Sequence, residues 1–376
     1  MNIFARTDSS VVGRWWWTVD HWMLCALLGL IVVGVVLIGS GSPGVSNTIG
    51  LDPFHFFYRH LVFVPAAIAV MLAISLMSAK QVRLAALAGY FGVLALLVAV
   101  LFLGEEAKGA QRWFRVFGLT LQPSEFMKPA LAVVSAWLFV LFHATRQWIY
   151  LALNVLSLGV ALGLIAIQPD IGMAVVIAAV WGIQFFLSGM SLPLTCGLAA
   201  LGAGLIGTAY SFMPHVESRI DRFFNPDSGD TYQVDMAAAA FREGSWLGVG
   251  PGNGDLKHVL PDAHADFILA VAGEEFGAVV CLLLVGTIAL MVLRGFVRVD
   301  SARSPFVALA AAGLLASFAL QALINMASTL ALIPAKGMTL PFISYGGSSM
   351  LAIAVTAGFI LALTRKRAGQ EAEDEI

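Results

Sequence analysis

Charged residues are scarce in this sequence. Asp, Glu, Lys and Arg together account for 12% of its 376 residues, about half of the roughly 25% that is typical of soluble domains. Hydrophobic residues account for 59%, and the mean hydropathy is +0.88. This composition excludes an ordinary soluble domain and indicates a polytopic membrane protein. The net charge of −2 favours no particular class of partner.

Cysteine is scarce as well, and several catalytic signatures are missing. The three cysteines all lie in apolar runs, which predicts small buried side chains and no disulfide framework. The sequence shows no internal repeat, metal-ligand spacing, nucleophile elbow or phosphate-binding P-loop. The glycine-rich run "GVGPGNG" lacks the strand before it and the helix after it that a nucleotide site needs, so it predicts a turn.

Long apolar runs are what the sequence has instead. A hydrocarbon core of about 30 Å needs about 20 apolar residues per helix. We therefore predict an all-α polytopic membrane protein of ten transmembrane helices, with residues 1–376 in one integral membrane domain. The predicted spans are 22–40, 58–78, 84–103, 124–145, 149–167, 171–189, 191–212, 265–293, 305–330 and 345–364.

Lysines and arginines in short loops set the direction of these helices. They predict cytoplasmic N- and C-termini, in tails 1–20 and 365–376, and four long outer segments. The cytoplasmic set is Arg6, Arg14, Lys80, Arg83, Arg146, Arg294, Arg298, Arg303, Arg365, Lys366 and Arg367. The outer segments are 41–57, 104–123, the long extracytoplasmic loop 213–264 between helices 7 and 8, and 331–344. The other ten of the 21 Lys and Arg residues lie in these outer segments or at the outer ends of helices, an excess that needs another explanation.

Ionisable residues within the spans, together with Asn325, share one depth. With the predicted direction, they fall in the outer half of the membrane, and the inner half holds almost nothing charged apart from His143 near the cytoplasmic end of helix four. They are Arg59, His60, Lys128, Asp170, Glu274, Glu275 and Asn325. Because charge inside a bilayer is costly, such residues face a cavity or each other. The pattern predicts a polar cavity open to the outside without a path across, which favours chemistry at the outer leaflet over transport.

Asp266 stands at the start of the helix that carries Glu274 and Glu275, in "LPDAHADFILAVAGEEFG". It either caps the helix or serves as a general base at the mouth of the cavity, and the sequence leaves these two readings level. Asp262 and His264 lie close by on the loop side. Glu274 and Glu275 project about 80° and 180° away from Asp266 around the helix. At least one of them therefore has a structural role or a cation partner, and Glu275 is the better candidate.

The stretch from 108 to 131 interleaves cations with aromatic residues. These are Lys108, Arg112, Arg115 and Lys128 with Trp113, Phe114 and Phe117. The cations either contact lipid headgroups or bind the phosphates of a lipid-linked anionic ligand. Ser124 is predicted to cap the following helix, and Glu125 and Lys128, three residues apart, are predicted to share a face.

Two further segments are irregular. The outer loop 218–254 contains three arginines and a short amphipathic piece around 232–243. The stretch "IPAKGMTLPFISYGGSS" mixes proline and glycine with Lys336, Ser344 and Tyr345. Irregular backbone at membrane depth is tolerated where it lines a cavity, so we expect these residues at the cavity wall.

Five motifs in this order resemble one protein family. They are "QRWFRVFGLTLQPSEFMK", "QPDIG", "YQ" at 232–233, "LPDAHADFILAVAGEEFG" and "IPAKGMTLPFISYGGSS". Together they span nearly the whole chain and resemble the SEDS proteins (shape, elongation, division and sporulation), closer to the division branch than to the elongation branch.

The resemblance implies a peptidoglycan glycosyltransferase that polymerises lipid II at the outer face of the cytoplasmic (inner) membrane, at the division septum. The implied partners are a class B penicillin-binding protein, an FtsI-like transpeptidase, and other divisome proteins. It implies no cofactor and leaves open whether a divalent cation such as Mg²⁺ assists. A lipid II flippase and a non-catalytic divisome scaffold are the alternatives.

The resemblance also implies site residues. Asp266 falls on the family's catalytic aspartate, and Lys128 falls on its lysine partner. The residues expected to bind substrate are Arg59, Arg112, Gln122, Ser124, Glu125, His264, Lys336, Ser344 and Tyr345.

Overall fold

The computed structural model describes residues 10–107, 110–116, 119–225, 231–300, 302–334 and 336–365. The outer parts of both predicted tails, Lys108 and Phe117 lie outside the described residues. The helices in the described part are α1 (Val11–Thr18), α2 (His21–Thr48), α3 (His55–Ser75), α4 (Ala79–Leu103), α5 (Pro123–Thr145), α6 (Trp148–Ile167), α7 (Ile171–Leu187), α8 (Leu192–Phe212), α9 (Pro214–Phe224), α10 (Tyr232–Gly244), α11 (Ile268–Asp300), α12 (Pro305–Thr329) and α13 (Gly347–Leu363).

The helical class is confirmed, and each of the ten predicted spans contains one of these helices. Among the described residues, eight helices are long and apolar enough to cross a membrane. The other two, α7 and α13, are apolar but have 17 residues each, at the short end of the spanning range of about 17–25. The count of ten spans therefore stays a prediction.

Helices α5, α12 and α13 form the centre of the bundle. In the most apolar windows of α5 and α12, 72% and 67% of the residues are buried, whereas α8 buries none. Polar side chains on α5 and α12 consequently have protein around them instead of lipid, and each needs a partner there.

A small antiparallel sheet departs from the all-helical expectation. Its strands are β1 (Glu105–Ala107), β2 (Ala110–Val116) and β3 (Leu119–Leu121), in the order β1-β2-β3. The sequence analysis treated this region as an outer loop, because the two outer strands have three residues each and are too short to show a period of two. The sheet carries Arg112 on its central strand and leads directly into α5.

The long outer loop is largely helical. The amphipathic piece predicted around 232–243 is confirmed as α10, and the "GVGPGNG" run forms turns with left-handed φ at its first three glycines. Helix α9 was not predicted.

Helix α11 is broken at Gly277, where φ is 76° and ψ is 179°. The break leaves backbone groups without partners in the helix, and these groups form hydrogen bonds with the loop that follows α10. The backbone amide of Ala278 donates to the Ser245 carbonyl (2.9 Å), and the backbone amide of Val249 donates to the Glu274 carbonyl (2.9 Å). A methyl group at Gly277 would come within 2.4 Å of the Trp246 carbonyl. Irregular backbone inside the bundle is thus satisfied by protein groups, as a membrane interior requires.

An ion cluster joins the start of α2 to the last part of α11. Asp20, whose carboxylate is fully buried, pairs with Arg294 Nε at 2.8 Å and Arg298 Nη2 at 2.8 Å. Burial acts to raise the pKa of Asp20, but its hydrogen bonds and the two arginines outweigh this effect and lower it. Two of the predicted cytoplasmic cations therefore meet at the start of α2.

Candidate active site

Polar side chains converge where α12 connects to α13. The connecting segment, residues 330–346 without Ala335, contacts the turn before α11, where the Tyr345 amide donates to the His264 carbonyl, and the start of α7, where Lys336 pairs with Asp170. This is the end of the bundle for which the sequence predicts the outer face.

Asp266 lies in the turn that precedes α11. The helix begins at Ile268, so Asp266 stands one residue outside the cap position. Three successive backbone amides, including that of Asp266, point at the carbonyl of Asp262. The carboxylate of Asp266 lies against the connecting segment, since a methyl group at Gly337 would be 2.8 Å from its Oδ2. The turn thus presents the carboxylate toward that segment.

Helix α12 fixes the backbone of Asp266. The side-chain nitrogen Nδ2 of Asn325 donates to the Asp266 carbonyl at 2.9 Å and to the Met338 carbonyl at 2.6 Å. The hydroxyl of Thr329 donates to the Asp266 carbonyl at 3.4 Å. One turn earlier stands Gln321, and residues four apart lie on the same face of a helix. This face ties the turn of Asp266 to the connecting segment.

Lys128 is buried in a polar network. Its ammonium group pairs with Glu125 at 2.7 Å and donates to Gln321 Oε1 at 2.5 Å. The Gln321 amide nitrogen donates in turn to Thr339 Oγ1 (3.1 Å) and Ser349 Oγ (3.3 Å). The prediction that Glu125 and Lys128 share a face is confirmed. Their side chains are 9% and 3% exposed, so the pair is held away from solvent.

The carboxylate of Asp170, at the start of α7, contacts several polar and charged side chains. Its side chain accepts from the Met173 amide at 3.2 Å and from Gln122 Nε2 at 3.3 Å. Lys336 Nζ lies 3.5 Å from Oδ1, and Arg112 Nη1 lies 3.9 Å from Oδ2. Three of the predicted substrate-binding residues therefore surround one carboxylate.

A cavity of about 320 Å³ opens beside Asp170. Arg112 faces it with its guanidinium fixed by hydrogen bonds to the carbonyls of Gln168 and Pro169, both at 2.6 Å. The cavity combines cations with an apolar wall. Its lining is Arg112, Pro169, Asp170, Ile171, Gly172, Val175, Val216, Arg219, Ile220, Ile324, Ile333, Pro334 and Lys336.

Lys336 is less exposed than Arg112, with 17% of its side chain accessible against 27%. Its side chain lies on Gly172, where any added side chain would overlap it. Burial lowers the pKa of Lys336 below the usual lysine value; Asp170 opposes this, and the nearby cations Arg219 and Lys128 add to the lowering. A bound anion would raise the pKa of Lys336 again, because a nearby opposite charge favours the protonated form of the lysine.

Arg59, His264 and Tyr345 form a second group, against α3. The His264 ring stacks on Phe56 with centroids 4.1 Å apart, and Tyr345 lies 5.3 Å from His264. The Tyr345 side chain is hydrogen-bonded with Arg59. Burial lowers the pKa of His264 to about 4, although Asp262 acts to raise it. His264 is therefore neutral at physiological pH.

The cations predicted to act together lie in different places. Arg112 and Lys336 line the 320 Å³ cavity, whereas Lys128 and Arg59 are not among its lining residues. Lys128 belongs to the buried network with Glu125 and Gln321, and Arg59 interacts with Tyr345.

Two serines have local roles. The prediction that Ser124 caps its helix is wrong, since α5 begins at Pro123 with Gln122 in the cap position. Proline there is favoured because the first helical N–H needs no intrahelical partner. The hydroxyl of Ser344 accepts from the Leu340 amide at 2.8 Å and so stabilises the connecting segment. Direct contact of either serine with substrate stays a prediction.

The two glutamates of α11 hold down the preceding loop. Glu274 accepts from the backbone amides of Leu256 (2.7 Å) and Lys257 (3.0 Å). Glu275 pairs with the ammonium group of Lys257 and accepts from Ser40 Oγ at 2.5 Å. Glu275 thus has the cation partner expected for one of the two, and Glu274 also serves the loop.

Several residues of the site were not predicted from the sequence. They are Gln321, Thr339, Ser349 and Arg219, together with the ion pairs of Asp170. The sequence contains a signal for Gln321, because Gln321, Asn325 and Thr329 recur every four residues in a largely apolar helix. Such a repeat predicts a polar stripe that faces protein.

A larger cavity, of about 630 Å³, lies at the opposite end of the bundle. It is bounded by the ends of α5, α7 and α11 and the start of α12, and apart from His143, Ser188 and Asp300 its lining is apolar. It is remote from Asp266 and shares no residue with the cavity at Asp170.

Comparison with known sequences gives consistent matches. Residues 21–369 match the model of the FtsW, RodA and SpoVE family, described as cell cycle proteins. A probable peptidoglycan glycosyltransferase FtsW of Caulobacter vibrioides is 43% identical over 98% of this chain and 95% of its own length. The protein of the same name from Coxiella burnetii is 32% identical over 92% of this chain and 96% of its own.

Solved structures match as well. A chain from a peptidoglycan synthase complex, in a study of how polymerization and crosslinking are coordinated, superposes with a TM-score of 0.76 and 26% identity. It covers 92% of this chain and 97% of that one. The rod shape determining protein RodA of Thermus thermophilus gives a TM-score of 0.68 at 25% identity, covering 92% of this chain and 96% of RodA.

Proposed function

The chain belongs to the FtsW, RodA and SpoVE family of cell cycle proteins, and on this basis we propose that it is a peptidoglycan glycosyltransferase that polymerises lipid II. The similarity to FtsW relatives over nearly the full length supports this activity. The site residues and the steps assigned to them below rest on the geometry of the connecting segment.

The proposal rests on one observation: the consecutive residues Lys336 and Gly337 lie in the basic cavity and against the Asp266 carboxylate, respectively. Gly337 lies against the carboxylate of Asp266, and Lys336 reaches Asp170 inside the 320 Å³ cavity. A base and an anion site are thus adjacent. The apolar wall beside the cations suits a substrate that carries a lipid tail on a phosphate headgroup.

In the proposed reaction Asp266 is the general base. Its carboxylate removes the proton from the 4-hydroxyl of the acceptor N-acetylglucosamine, and the oxygen attacks the anomeric carbon of the donor. A new glycosidic bond forms while the bond from the anomeric carbon to the pyrophosphate oxygen breaks. The proton stays on Asp266, and undecaprenyl pyrophosphate leaves with the bonding electrons.

Arg112, Arg219 and Lys336 stabilise the leaving group. Fixed cations aimed at the place where charge develops lower the barrier, because they need no reorganisation during the reaction. Arg112 is held by two carbonyls and Lys336 by Asp170, so both are positioned before substrate arrives. Asp170 also limits the repulsion among these cations while the cavity holds no anion.

Lys128 contributes from beneath the cavity. Its ammonium group is buried between Glu125 and Gln321, and its charge is felt at Lys336. We assign it the electrostatic support of the pyrophosphate site, with Glu125 and Gln321 holding it in place. Arg59, His264 and Tyr345 lie at the wall near Asp266 and are assigned to the acceptor side. No resident cofactor is included in this proposal.

The protein is an integral membrane protein, and we place its site at the outer face of the cytoplasmic membrane, at the septum. Arg294 and Arg298 lie at the end opposite Asp266, which supports a cytoplasmic position for that end and for both termini. An FtsI-like class B penicillin-binding protein is the proposed partner. The likeness to a chain of a peptidoglycan synthase complex supports an assembly of this kind.

The test is polymerisation of purified lipid II by the protein in liposomes, with its class B partner present. Glycan strands resolved on a gel are the expected product. Transfer of lipid II between leaflets without glycan would replace the proposal with a flippase. Folded protein that gives neither result would leave only a scaffold role.

A further inference from the structure

Helix α12 holds the connecting segment on both sides of Gly337. The backbone amide of Lys336, the residue before it, donates to the Ser328 hydroxyl at 3.0 Å. The carbonyl of Met338, the residue after it, accepts from Nδ2 of Asn325 at 2.6 Å. Ser328 and Asn325 are three residues apart and therefore lie on one face of the helix. The position of Gly337 relative to α12 is thus set by two side chains.

Asn325 is also bonded to the residue that carries the proposed base. An amide nitrogen has two hydrogens, and Nδ2 of Asn325 donates to the Asp266 carbonyl at 2.9 Å as well as to the Met338 carbonyl. The side chain is 1% exposed, so bulk water does not replace either bond. Because the Asp266 carboxylate lies against Gly337, one nitrogen joins the backbone on both sides of that contact.

The anion site is held by other groups. Lys336 is fixed by Ser328 at its backbone amide and by Asp170 at its ammonium group, 3.5 Å away. The guanidinium of Arg112 is fixed by two backbone carbonyls that precede α7. None of these bonds involves Asn325. The bonds that support the base are therefore separate from the bonds that support the cations.

We propose that Asn325 is a positioning residue for the base, a role that rests on the function proposed above. Its two N–H groups hold the turn of Asp266 and the segment around Gly337 at a fixed separation, which keeps the carboxylate where the acceptor hydroxyl arrives. Without these N–H groups the turn and the segment move apart. The rate of glycosyl transfer then falls, whereas the affinity for undecaprenyl pyrophosphate does not.

Asn325→Leu tests this role, because leucine has a similar size and donates no hydrogen bond. In lipid II polymerisation with the class B partner present, we expect kcat to fall by about 10- to 100-fold, the usual effect of a displaced catalytic group. The dissociation constant of undecaprenyl pyrophosphate should stay that of the wild type. Ser328→Ala should weaken undecaprenyl pyrophosphate binding more than it lowers kcat, since it leaves the Lys336 amide without its acceptor.

Asn154→Leu is the matched control. Asn154 on α6 is also fully buried and has two hydrogen bonds, to the Ser135 carbonyl (3.1 Å) and from the Trp181 indole (3.0 Å). Both leucine variants therefore lose two buried hydrogen bonds and should lower the thermal midpoint in detergent by similar amounts. Only Asn325→Leu should lower kcat. If Asn325→Leu does not fold, Asn325→Ser replaces it, because a serine hydroxyl bonds within its own helix.

Amide hydrogen exchange tests the structural part of the inference without any activity. The full-length protein in detergent is compared with its two leucine variants. In Asn325→Leu, exchange should become faster in two peptides, one covering residues 262–267 and one covering 337–344, because both segments lose a bond to α12. In Asn154→Leu both peptides should exchange as in the wild type.

Three results would overturn the inference. A kcat loss in Asn325→Leu no greater than that in Asn154→Leu would leave Asn325 a role in stability alone. A parallel loss of kcat and of undecaprenyl pyrophosphate affinity would remove the separation between base and anion site. Unchanged exchange in both peptides would show that other groups hold the turn. Faster exchange in Asn325→Leu with no glycan from the wild type would refute only the proposed function.

Discussion

Gly337 lies directly against the carboxylate of Asp266: a methyl group on Gly337 would be 2.8 Å from Oδ2. Glycine at 337 therefore sets how closely the connecting segment approaches the proposed base.

Gly337→Ala should lower activity more than stability. The added methyl group meets the end of a flexible side chain, so the fold adapts by moving the Asp266 carboxylate. Because a misplaced catalytic group is costly, we expect a loss of about tenfold or more in kcat, with a thermal midpoint close to that of the wild type. Gly286→Ala is the control, since nothing lies within 4 Å of a methyl group there. Equal activity of both variants would contradict a role for this contact.

Lys336 should give the anion site an alkaline limit. Its pKa is lowered from the usual 10.5, chiefly by burial, so the free protein loses this charge as pH rises through a value below 10.5. Affinity for undecaprenyl pyrophosphate should then fall on the alkaline side. Lys336→Arg should keep binding at high pH because arginine stays protonated, and Lys336→Met should bind weakly throughout. The exposed Lys80→Arg serves as control, and an identical pH profile for wild type and Lys336→Arg would rule out this origin.

The buried pair of Glu125 and Lys128 should be costly to break from one side. Glu125→Ala leaves a buried ammonium group without its counter-charge, which typically costs about 3–5 kcal/mol. Glu105→Ala is the matched control: its pair with Arg115 is at least half exposed, and such pairs are worth at most about 1 kcal/mol. Chemical or thermal unfolding in detergent measures both. Similar losses for the two variants would mean that Lys128 finds another partner.

His264 should make the protein less stable in acid. Its folded-state pKa is about 4 against an ordinary 6.5, so between these values the unfolded chain binds the proton more tightly. Stability should therefore be complete above about pH 6.5 and fall by about 3 kcal/mol as the pH drops toward 4. His264→Phe keeps the stacking on Phe56 and should flatten that slope, whereas His258→Gln, at an exposed position, should not. An unchanged slope in His264→Phe would contradict the burial argument.

Much of the fold was predictable because membrane insertion depends on long apolar runs, a property of composition alone. Every predicted span contains a helix, yet α2 continues to Thr48 beyond its predicted end at residue 40 and includes Pro43. Glycine, serine and proline end helices in water but are tolerated inside a bundle. The break at Gly277 was not predicted either, because it depends on hydrogen bonds from residues 245–250 and not on local sequence.

Among the residues that meet at this end of the bundle, the sequence indicated Arg112, Lys128 and Lys336 but not Arg219, and it indicated the neutral Gln122 but not Gln321. Arg112, Lys128 and Lys336 stand out because a charge near a bilayer demands a reason. Gln321 does not stand out, since a neutral amide costs less to bury and its partners lie on other elements. The separation of Lys128 from the Arg112 cavity is likewise a tertiary property, set by the packing of α5 against α12.

The central claim is that Asp266 is the base of a lipid II polymerase, and Asp266→Asn tests it most directly. Asparagine keeps the size of the side chain but takes up no proton at neutral pH. Wild-type and variant protein, shown to be equally folded, are compared for glycan synthesis in liposomes with the class B partner present. Glycan from the wild type and none from Asp266→Asn is the predicted result. Equal glycan from both would contradict it and send the search for the base to Asp262 or Glu274.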